Sequence, residues 1–311
     1  MTLLHSFLLG IIQGLTEFIP VSSTAHLLIT QKLLNIPADD AMFSFLVIVQ
    51  LGTIVSLFAF YWKDLLNIIT AAFQALPMVF KPATRRNLQL ANHNPQSPAR
   101  DLQPANRDLQ LTTHNEQPAA THNLQPEALL GFYIIIATIP ALLAGYLLKD
   151  AVEALFRQPM LEASIRLFSA AVLLTSAEWL TKKDRTLPSM TWLDALIVGL
   201  FQIISIFPGA SRSGTTISGG MFRGFDRPSA ARFAYLMSVP EMLAGGGYQM
   251  LDVLQMPNHG EFLPLLAVGF VTAAIVGWFA IKWLIDYLST RSLYGFAAYS
   301  AIMGILVLIF S

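Results

Sequence analysis

Apolar runs near twenty residues long recur along most of this chain and constrain its fold more than any other feature. Only 12% of the residues are charged and 54% are hydrophobic, whereas soluble domains carry about 25% charged residues. About twenty apolar residues is the length that a helix needs to cross a bilayer. We therefore predict an all-α polytopic membrane protein. The six predicted spans are 42–62, 128–148, 160–180, 230–250, 262–284 and 293–310.

Two further apolar segments are interrupted too soon to be ordinary spans. Residues 3–19 end at a proline and are followed by a polar turn and a short segment, 24–34. Residues 192–207 end in the same way, before a Ser/Gly-rich turn and the segment 212–224. Non-helical backbone at membrane depth is tolerated only where protein or water satisfies its polar groups. Each pair therefore predicts a re-entrant helix–turn–helix that dips into the membrane and returns to the same side.

The two halves of the chain resemble each other around these turns. The sequence near Pro20 and Ser23 is similar to that near Pro208 and Ser211. Lys and Arg concentrate on one side of the membrane if both termini face outward, which is the positive-inside pattern. With that orientation, one re-entrant pair enters from outside and the other from inside. This predicts an inverted-topology repeat whose broken helices meet near the membrane midplane.

The chain is predicted to be a single membrane domain with one polar interruption. Residues 1–80 hold the first re-entrant pair, a span and an interfacial helix at 65–80. Residues 128–311 hold the remaining spans and the second re-entrant pair at 192–224. Between them, 81–127 is rich in Asn, Gln, Pro and Thr and cannot bury a core. We predict that this insert is disordered and cytoplasmic.

The first re-entrant pair carries side chains suited to chemistry. Glu17 follows Gln13 by one helical turn, so the two share a face. A hydrogen-bonded packing pair is one interpretation; because ionisable groups at membrane depth usually mark a site, we favour a carboxylate that binds a metal ion or accepts a proton. Such clusters can supply a nucleophile, a base or an acid, and one serine is expected to cap the following helix. The neighbouring hydroxyl and imidazole groups are Ser22, Ser23, Thr24 and His26.

Arg212 is the strongest candidate in the second re-entrant pair. A guanidinium at membrane depth is costly unless it faces an anion or water, and its planar donors match phosphate oxygens. A helix that begins near Arg212 would add backbone N–H groups to an anion site. A salt bridge to Glu17 is a second interpretation, compatible with the first because it can open to admit a phosphate. The flanking small and hydroxyl residues include Ser211, Ser213, Gly214 and Thr215.

Other ionisable residues in or near the spans are Arg166, Glu178 and Glu241. Glu178 lies one helical turn from Lys182, which predicts an interfacial ion pair. Glu241 follows a proline within a span, and its role stays open between packing and a site. The sequence has no Walker loop, zinc signature or nucleotide fingerprint. These absences argue against an ATP-driven machine, and we expect no nucleic-acid partner.

The stretches Gln13–His26 and Pro208–Gly220 resemble the two signature motifs of the undecaprenyl-diphosphate phosphatase family, bacterial membrane enzymes of bacitracin resistance. In the first motif, two acidic or amide positions lie four apart before a Pro-x-Ser-Ser-Thr-x-His run. The second resembles the Pro-Gly-x-Ser-Arg-Ser-Gly motif. The resemblance covers the chain apart from 81–127. It implies six spans with two re-entrant pairs, and hydrolysis of a polyprenyl diphosphate lipid in the bacterial inner membrane that recycles the carrier for peptidoglycan synthesis.

The resemblance also implies roles for individual residues. A divalent cation, Mg or Ca, would be held partly by Glu17. Gln13 stands where many members have Glu, which excludes paired carboxylates at these two positions. By resemblance, the catalytic residues are Glu17, Ser23, His26 and Arg212. The expected substrate-binding residues are Gln13, Ser22, Thr24, Ser211, Ser213, Gly214 and Thr215.

Several alternatives stay open at this point. The nucleophile is Ser23, His26 or a water molecule activated by one of them. The rival function is a transporter or flippase of polyprenyl phosphate, because broken helices in inverted repeats are common in transporters; phosphate release in detergent distinguishes the two. Ser205 stands where the first stretch has Glu17, which predicts one site per chain. We expect that site to open to the outer, periplasmic face. The sequence leaves the oligomeric state open, and a homodimer is one of the alternatives.

Overall fold

The computed structural model describes residues 1–37, 39–80, 126–148, 159–206, 210–255 and 259–310 of the 311-residue chain. Within those ranges the chain is helical and contains no β-strand. A short 3₁₀ turn, Leu187–Ser189, accompanies the α-helices. In chain order these are α1 (Leu3–Thr16), α2 (Ser23–Leu33), α3 (Asp40–Phe80), α4 (Pro126–Leu147), α5 (Pro159–Leu180), α6 (Trp192–Ile204), α7 (Arg212–Phe222), α8 (Arg227–Gln255), α9 (His259–Thr290) and α10 (Tyr294–Phe310).

Four of these helices are long and apolar enough to cross a membrane. They are Ala41–Ala75 of α3, Pro126–Leu147, Pro159–Leu180 and Phe262–Thr290 of α9, and they match four of the six predicted spans. The other two predicted spans coincide with α8, which carries several charged residues, and with α10, which has 17 residues. The all-α membrane character is therefore confirmed, and the number of six spans stays a prediction.

Helix α3 combines two predicted elements. The sequence predicts a span at 42–62 and an interfacial helix at 65–80, whereas the structure has one helix of 41 residues. Its backbone leaves helical geometry at Tyr61, where φ is −104° and ψ is 21°. A local break of this kind changes the direction of a helix without ending it. The predicted boundary is thus present as an irregularity inside a continuous helix.

Both predicted interruptions lie between two short helices, α1 and α2 in one case and α6 and α7 in the other, and their re-entrant course stays a prediction. Ser22 caps α2 by accepting a hydrogen bond from the N–H of Ala25, and Ser211 caps α7 through the N–H of Gly214. These bonds satisfy backbone donors that the first turn of a helix leaves without partners. Residues 207–209, which include the Pro and Gly of the second motif, lie outside the described residues.

Each of the helices that precede these turns packs closely on a long helix. A Cβ atom added at Gly10 of α1 would lie 2.6 Å from the carbonyl oxygen of Gly269 in α9. A Cβ added at Gly199 of α6 would lie 2.3 Å from the carbonyl oxygen of Ala137 in α4. Small residues let the backbones of membrane helices approach in this way. The α1–α9 and α6–α4 contacts therefore fix where the two turns lie.

Helix α7 lies in the middle of the described structure. It packs against α5, α6 and α8, and every residue from Ser213 to Met221 is buried. Its first turn meets the α1–α2 turn, because the Ser213 hydroxyl donates a hydrogen bond of 3.4 Å to the Ile19 carbonyl. On the same side, the Tyr235 hydroxyl donates to the Phe18 carbonyl at 3.1 Å. These contacts hold the two polar turns against each other.

A buried carboxylate anchors the N-terminus of α6. Asp194 accepts hydrogen bonds from Arg185 at 2.7 and 3.2 Å and from Arg223 at 2.6 Å, and it forms a capping box with Thr191. Burial raises the pKa of Asp194, but the hydrogen bonds from the two arginines and Thr191 outweigh it and hold the pKa well below its usual range. Since Arg223 directly follows α7, this cluster joins the start of α6 to the end of α7.

The predicted partner of Glu178 is wrong. Within the described residues its carboxylate pairs with Arg227 and, at 3.6 Å, with Lys183, while Lys182 is not a partner. The backbone N–H of Leu293 also donates to it at 3.2 Å. The helical i, i+4 spacing was a poor guide because the chain leaves the helix after Leu180. Tertiary contacts with the start of α8 decide the pairing instead.

Nearly all of the insert predicted to be disordered lies outside the described residues. Of the segment 81–127, only Pro126 and Glu127 belong to the described residues, where they begin α4. A proline is favoured in the first turn of a helix because it has no N–H to satisfy. Helix α4 therefore starts two residues before the predicted position 128.

Candidate active site

A polar cavity of about 180 Å³ lies where the two helix–turn–helix pairs meet α3, α5 and α8. Its wall combines carboxylate, guanidinium, amide and hydroxyl groups, an unusual set in a protein whose helices are largely apolar. Ionisable groups at such depth are costly unless they are paired or functional. The lining residues are Glu17, Ser22, Ser23, Thr24, Gln50, Arg166, Ser205, Ser211, Arg212, Ser213 and Glu241.

The two sequence stretches meet in an ion pair across the cavity. Arg212, the first residue of α7, donates through Nη2 to Oε1 of Glu17, which directly follows α1. The Glu17 side chain is 3% exposed and the Arg212 side chain 21% exposed. A buried charge without a partner would be strongly unfavourable, so each group stabilises the other in its ionised form. The salt bridge anticipated from the sequence is confirmed.

Glu17 has two further donors on its other oxygen. Gln13 donates through Nε2 to Oε2 at 2.8 Å, and the Ser23 hydroxyl donates to the same oxygen at 2.7 Å. A carboxylate that accepts three hydrogen bonds is held in one orientation. The Ser23 proton therefore points at Glu17, and the Ser23 oxygen lies on the cavity wall.

Glu241 is a second carboxylate at the cavity. Its Oε2 lies 3.9 Å from Nη1 of Arg212, and Gln202 donates a hydrogen bond to the same oxygen through Nε2. The sequence left Glu241 open between packing and a site, and the structure places it on the cavity wall. The only sequence signal was an acidic residue inside an otherwise apolar segment.

Arg166 is a cavity residue to which the sequence assigned no role. It lies on α5, where Nε donates to Glu162 at 2.9 Å and Nη1 donates to the carbonyl oxygen of Ala210 at 2.9 Å. The second bond holds the backbone directly before the Ser211 cap. Arg166 therefore supplies positive charge to the cavity and also fixes the start of α7.

The hydroxyl groups around Arg212 and Glu17 come from both helix N-termini. Ser22, Ser23 and Thr24 open α2, and Ser211 and Ser213 lie at the start of α7. Helix N-termini carry backbone N–H groups and the positive end of the helix dipole, which favour an anion. The arrangement suits a phosphate group between the two helix ends.

Ser22 has a backbone conformation that is rare for a side-chain-bearing residue. Its φ is 68° and its ψ is 93°, a conformation that costs on the order of 1–3 kcal/mol. His26 contributes to holding it, because its Nδ1–H donates to the Ser22 carbonyl at 2.8 Å. Non-glycine residues with such geometry concentrate at functional sites. The turn is thus shaped to present Ser22 and Ser23 to the cavity.

His26 does not line the cavity. Its Nε2 lies 2.8 Å from the Tyr299 hydroxyl, and the two rings stack with centroids 5.7 Å apart. Since Nδ1 donates to a carbonyl oxygen, Nε2 of neutral His26 accepts a hydrogen bond from the Tyr299 hydroxyl. Both ring nitrogens are therefore occupied away from the cavity, unlike those of a residue that contacts a substrate directly.

The remaining predicted residues lie behind the cavity wall. Gln13 is fully buried and contacts Glu17. Gly214 donates its N–H to the Ser211 hydroxyl at 3.2 Å. The Thr215 hydroxyl donates to the Arg212 carbonyl at 2.9 Å. These three residues support Glu17, Ser211 and Arg212, and none of them lines the cavity.

The donor set for a metal ion is limited to a few oxygens. Among the described residues no group of three or more His, Cys, Asp or Glu side chains is arranged around one point. Mg²⁺ is commonly bound by one or two carboxylates together with substrate phosphates and water. Glu17 and Glu241 are the two carboxylates that line this cavity, so they are the residues that could contribute to a site of that kind.

Fold and cavity together define a helical integral membrane protein with a buried arginine–carboxylate site suited to an anionic group. The chain belongs to the family of the bacitracin resistance protein BacA, whose model matches residues 6–306. It is similar to the undecaprenyl-diphosphatases of Alkaliphilus metalliredigens (34% identity, 100% of this chain and 99% of the relative) and Chloroherpeton thalassium (34%, 99% and 96%). The undecaprenyl-diphosphatase of Anaeromyxobacter dehalogenans is 35% identical over 98% of this chain and 90% of its own length. The family resemblance inferred from the two motifs is confirmed.

Proposed function

We propose that this protein hydrolyses the terminal phosphate of undecaprenyl diphosphate, releasing phosphate and undecaprenyl phosphate. The product is the lipid carrier of peptidoglycan synthesis, and its regeneration would give resistance to bacitracin. The observation that carries the proposal is Arg212, held by Glu17 at the wall of a hydroxyl-lined cavity. The family and the names of its full-length relatives support the same reaction.

Substrate binding follows from the positions of Arg212 and the helix N-termini. The diphosphate enters the polar cavity, and the isoprenyl chain stays among the apolar helices. Its phosphate oxygens accept from Arg212, from the hydroxyls of Ser211 and Ser213, and from the N–H groups of α7. Because Arg212 is bound to Glu17, the phosphate competes with that carboxylate for the guanidinium.

The geometry favours Ser23 over His26 as the nucleophile. The Ser23 oxygen attacks the terminal phosphorus, its proton passes to Glu17, and the bond to the bridging oxygen breaks to release undecaprenyl phosphate as an anion. Glu17 returns its proton to solvent. A water molecule then attacks the phosphorus and gives a proton to Glu17. The Ser23–phosphorus bond breaks, phosphate leaves, and Ser23 regains a proton from Glu17. Arg212 neutralises the charge on the transferred group throughout.

A divalent cation, Mg²⁺ or Ca²⁺, is part of the proposal. Glu17 and Glu241 would hold it, and when bound it neutralises charge on the phosphate oxygens. Its oxygen ligands would be completed by the diphosphate and by water, as is common for Mg²⁺.

We also propose the six-span architecture with two re-entrant pairs as an inverted repeat. Three equivalences support it: the close contacts of Gly10 and Gly199, the caps Ser22 and Ser211, and amide–carboxylate pairs on both sides of Arg212. The two N-cap positions make Ser211 equivalent to Ser22. The sequence comparison had matched Ser211 with Ser23, which is one residue later. The loops before the two caps therefore differ in length by one residue.

The family resemblance and the charge pattern of the sequence support a location for the protein. We place it in the bacterial inner membrane, with both termini and the cavity mouth toward the outer face, in agreement with the positive-inside pattern of the sequence. A homodimer is compatible with this orientation in the membrane. Cysteines introduced at Ser22 in this cysteine-free chain, labelled from either side of the membrane, test the direction of access.

Replacing Arg212 tests the reaction itself. Phosphate release from undecaprenyl diphosphate by purified protein in detergent should fall at least about a hundredfold in Arg212→Ala, the loss typical of a removed charge-stabilising donor. Arg212→Lys should recover little, because lysine lacks the planar fork. The matched control is Arg232→Ala, which removes a half-exposed arginine bound to Asp64 outside this cavity. Normal turnover by Arg212→Ala would overturn the proposal, and lipid binding without phosphate release by the unaltered protein would favour a carrier.

A further inference from the structure

The site has a repeated arrangement around one arginine. Glu17 is bound by Gln13 from α1, and Glu241 is bound by Gln202 from α6. Both glutamines are fully buried, and both carboxylates reach Arg212 from different elements. Glu241 is therefore held by a buried glutamine in the same way as Glu17, although it takes no part in the proposed proton transfers.

Two carboxylates and two guanidinium groups line this cavity. Arg166 and Arg212 carry the positive charges of the wall, and Glu17 and Glu241 carry the negative ones. Arg166 is also bound to Glu162 at 2.9 Å, so its charge is already matched. When Glu162 is counted with the four charged wall residues, these described side chains carry a net charge of one negative. A diphosphate, itself strongly anionic, meets repulsion that Arg212 alone does not offset.

We infer that Glu241 is the specificity residue that makes diphosphate binding conditional on a divalent cation. With Glu241 and Glu17 both facing Arg212, the anion enters favourably only together with a cation that the two carboxylates can share. Without the Glu241 charge, Arg212 would be free to bind phosphate oxygens on the Nη1 side. This inference rests on the proposed function, because it assigns a role within the same cavity.

The test is a binding measurement rather than turnover. Methylene diphosphonate, a non-hydrolysable diphosphate, is titrated calorimetrically into the purified full-length protein in detergent, once with Mg²⁺ and once with EDTA. The unaltered protein should bind tightly with Mg²⁺ and weakly with EDTA. Glu241→Gln should tighten binding in EDTA by on the order of tenfold, the effect of removing one nearby like charge, and should reduce the gain from Mg²⁺.

Two further variants test whether the negative charge at position 241 is what controls diphosphonate binding. Glu241→Asp keeps the charge and should keep the Mg²⁺ dependence. Glu127→Gln removes an exposed carboxylate from α4, outside this cavity, and should change neither titration. Equal Mg²⁺ dependence in Glu241→Gln and the unaltered protein would overturn the inference. If the unaltered protein binds no diphosphonate under either condition, or if Arg212→Ala binds it equally well, the proposed site itself is wrong.

Discussion

The Ser23 hydroxyl donates a 2.7 Å hydrogen bond to Oε2 of Glu17, while Oε1 of the same carboxylate binds Arg212. One carboxylate thus joins the serine of α2 to the arginine of α7. The bond gives the serine proton an acceptor in the resting protein, and the serine oxygen faces the cavity that Arg212 makes attractive to phosphate. Opening the Glu17–Arg212 pair for substrate need not disturb it, because the two bonds use different oxygens.

A first prediction concerns covalent catalysis by Ser23. Ser23→Ala should lower kcat by on the order of a thousandfold or more, since removing a nucleophile abolishes the whole route that depends on it. Mass spectrometry of acid-quenched reactions should find a phosphorylated Ser23 peptide in the unaltered protein.

The control for this prediction is another serine of the same cavity. The Ser205 hydroxyl donates to the Gln202 carbonyl at 2.7 Å rather than to Glu17, so Ser205→Ala should change kcat by less than about tenfold. Phosphate trapped on His26, or a Ser23→Ala variant with nearly full activity, would reject Ser23 as the nucleophile.

A second prediction separates a positioning role of His26 from direct proton transfer. Tyr299→Phe removes the hydroxyl that His26 binds and keeps the ring that stacks on it. Losing one such hydrogen bond should lower kcat about fivefold, equivalent to about 1 kcal/mol, because Ser22 is then held less firmly. The pH profile of kcat should keep its shape.

The comparison is Tyr294→Phe on the same helix. Tyr294 is 45% exposed, and its hydroxyl does not contact His26, so kcat should stay unchanged. A shift of the kcat pH profile in Tyr299→Phe would mean that His26 exchanges protons with the substrate, contrary to its placement outside the cavity.

A third prediction concerns stability and pH at Asp194. Its pKa is lowered in the folded protein, so the carboxylate stabilises the fold fully above the unfolded pKa of about 4 and loses that contribution as the pH falls below it. Asp194→Asn should destabilise the protein at pH 7 by about 2–3 kcal/mol, because Arg185 and Arg223 lose a shared partner.

Thermal unfolding in detergent between pH 3 and pH 7 checks this prediction. The difference in Tm between the unaltered protein and Asp194→Asn should be largest near pH 7 and should shrink as the pH falls below about 4. Asp286→Asn, at an exposed position on α9, provides the matched loss of a carboxylate and should leave Tm nearly unchanged. A Tm difference independent of pH would show that the charge of Asp194 is not what stabilises the start of α6.

Much of the fold could be predicted because apolar length and interruption are local properties. Four predicted spans match long apolar helices, and both interrupted pairs form with serine caps. The Glu17–Arg212 contact could also be anticipated, since two isolated charges in apolar surroundings stabilise each other. The prediction of a Glu178–Lys182 pair was wrong because residues four apart face each other only within a helix, and this helix ends at Leu180.

The sequence by itself determined that this is a helical membrane protein, where its helices are interrupted, and that the isolated charges Glu17 and Arg212 would pair. These features follow from hydropathy, capping and charge along short stretches. Only the tertiary structure decided that Arg166 and Glu241 join the cavity and that His26 turns away toward Tyr299. The reason is that such contacts join residues distant in sequence, and the direction of a side chain depends on the helix packed against it.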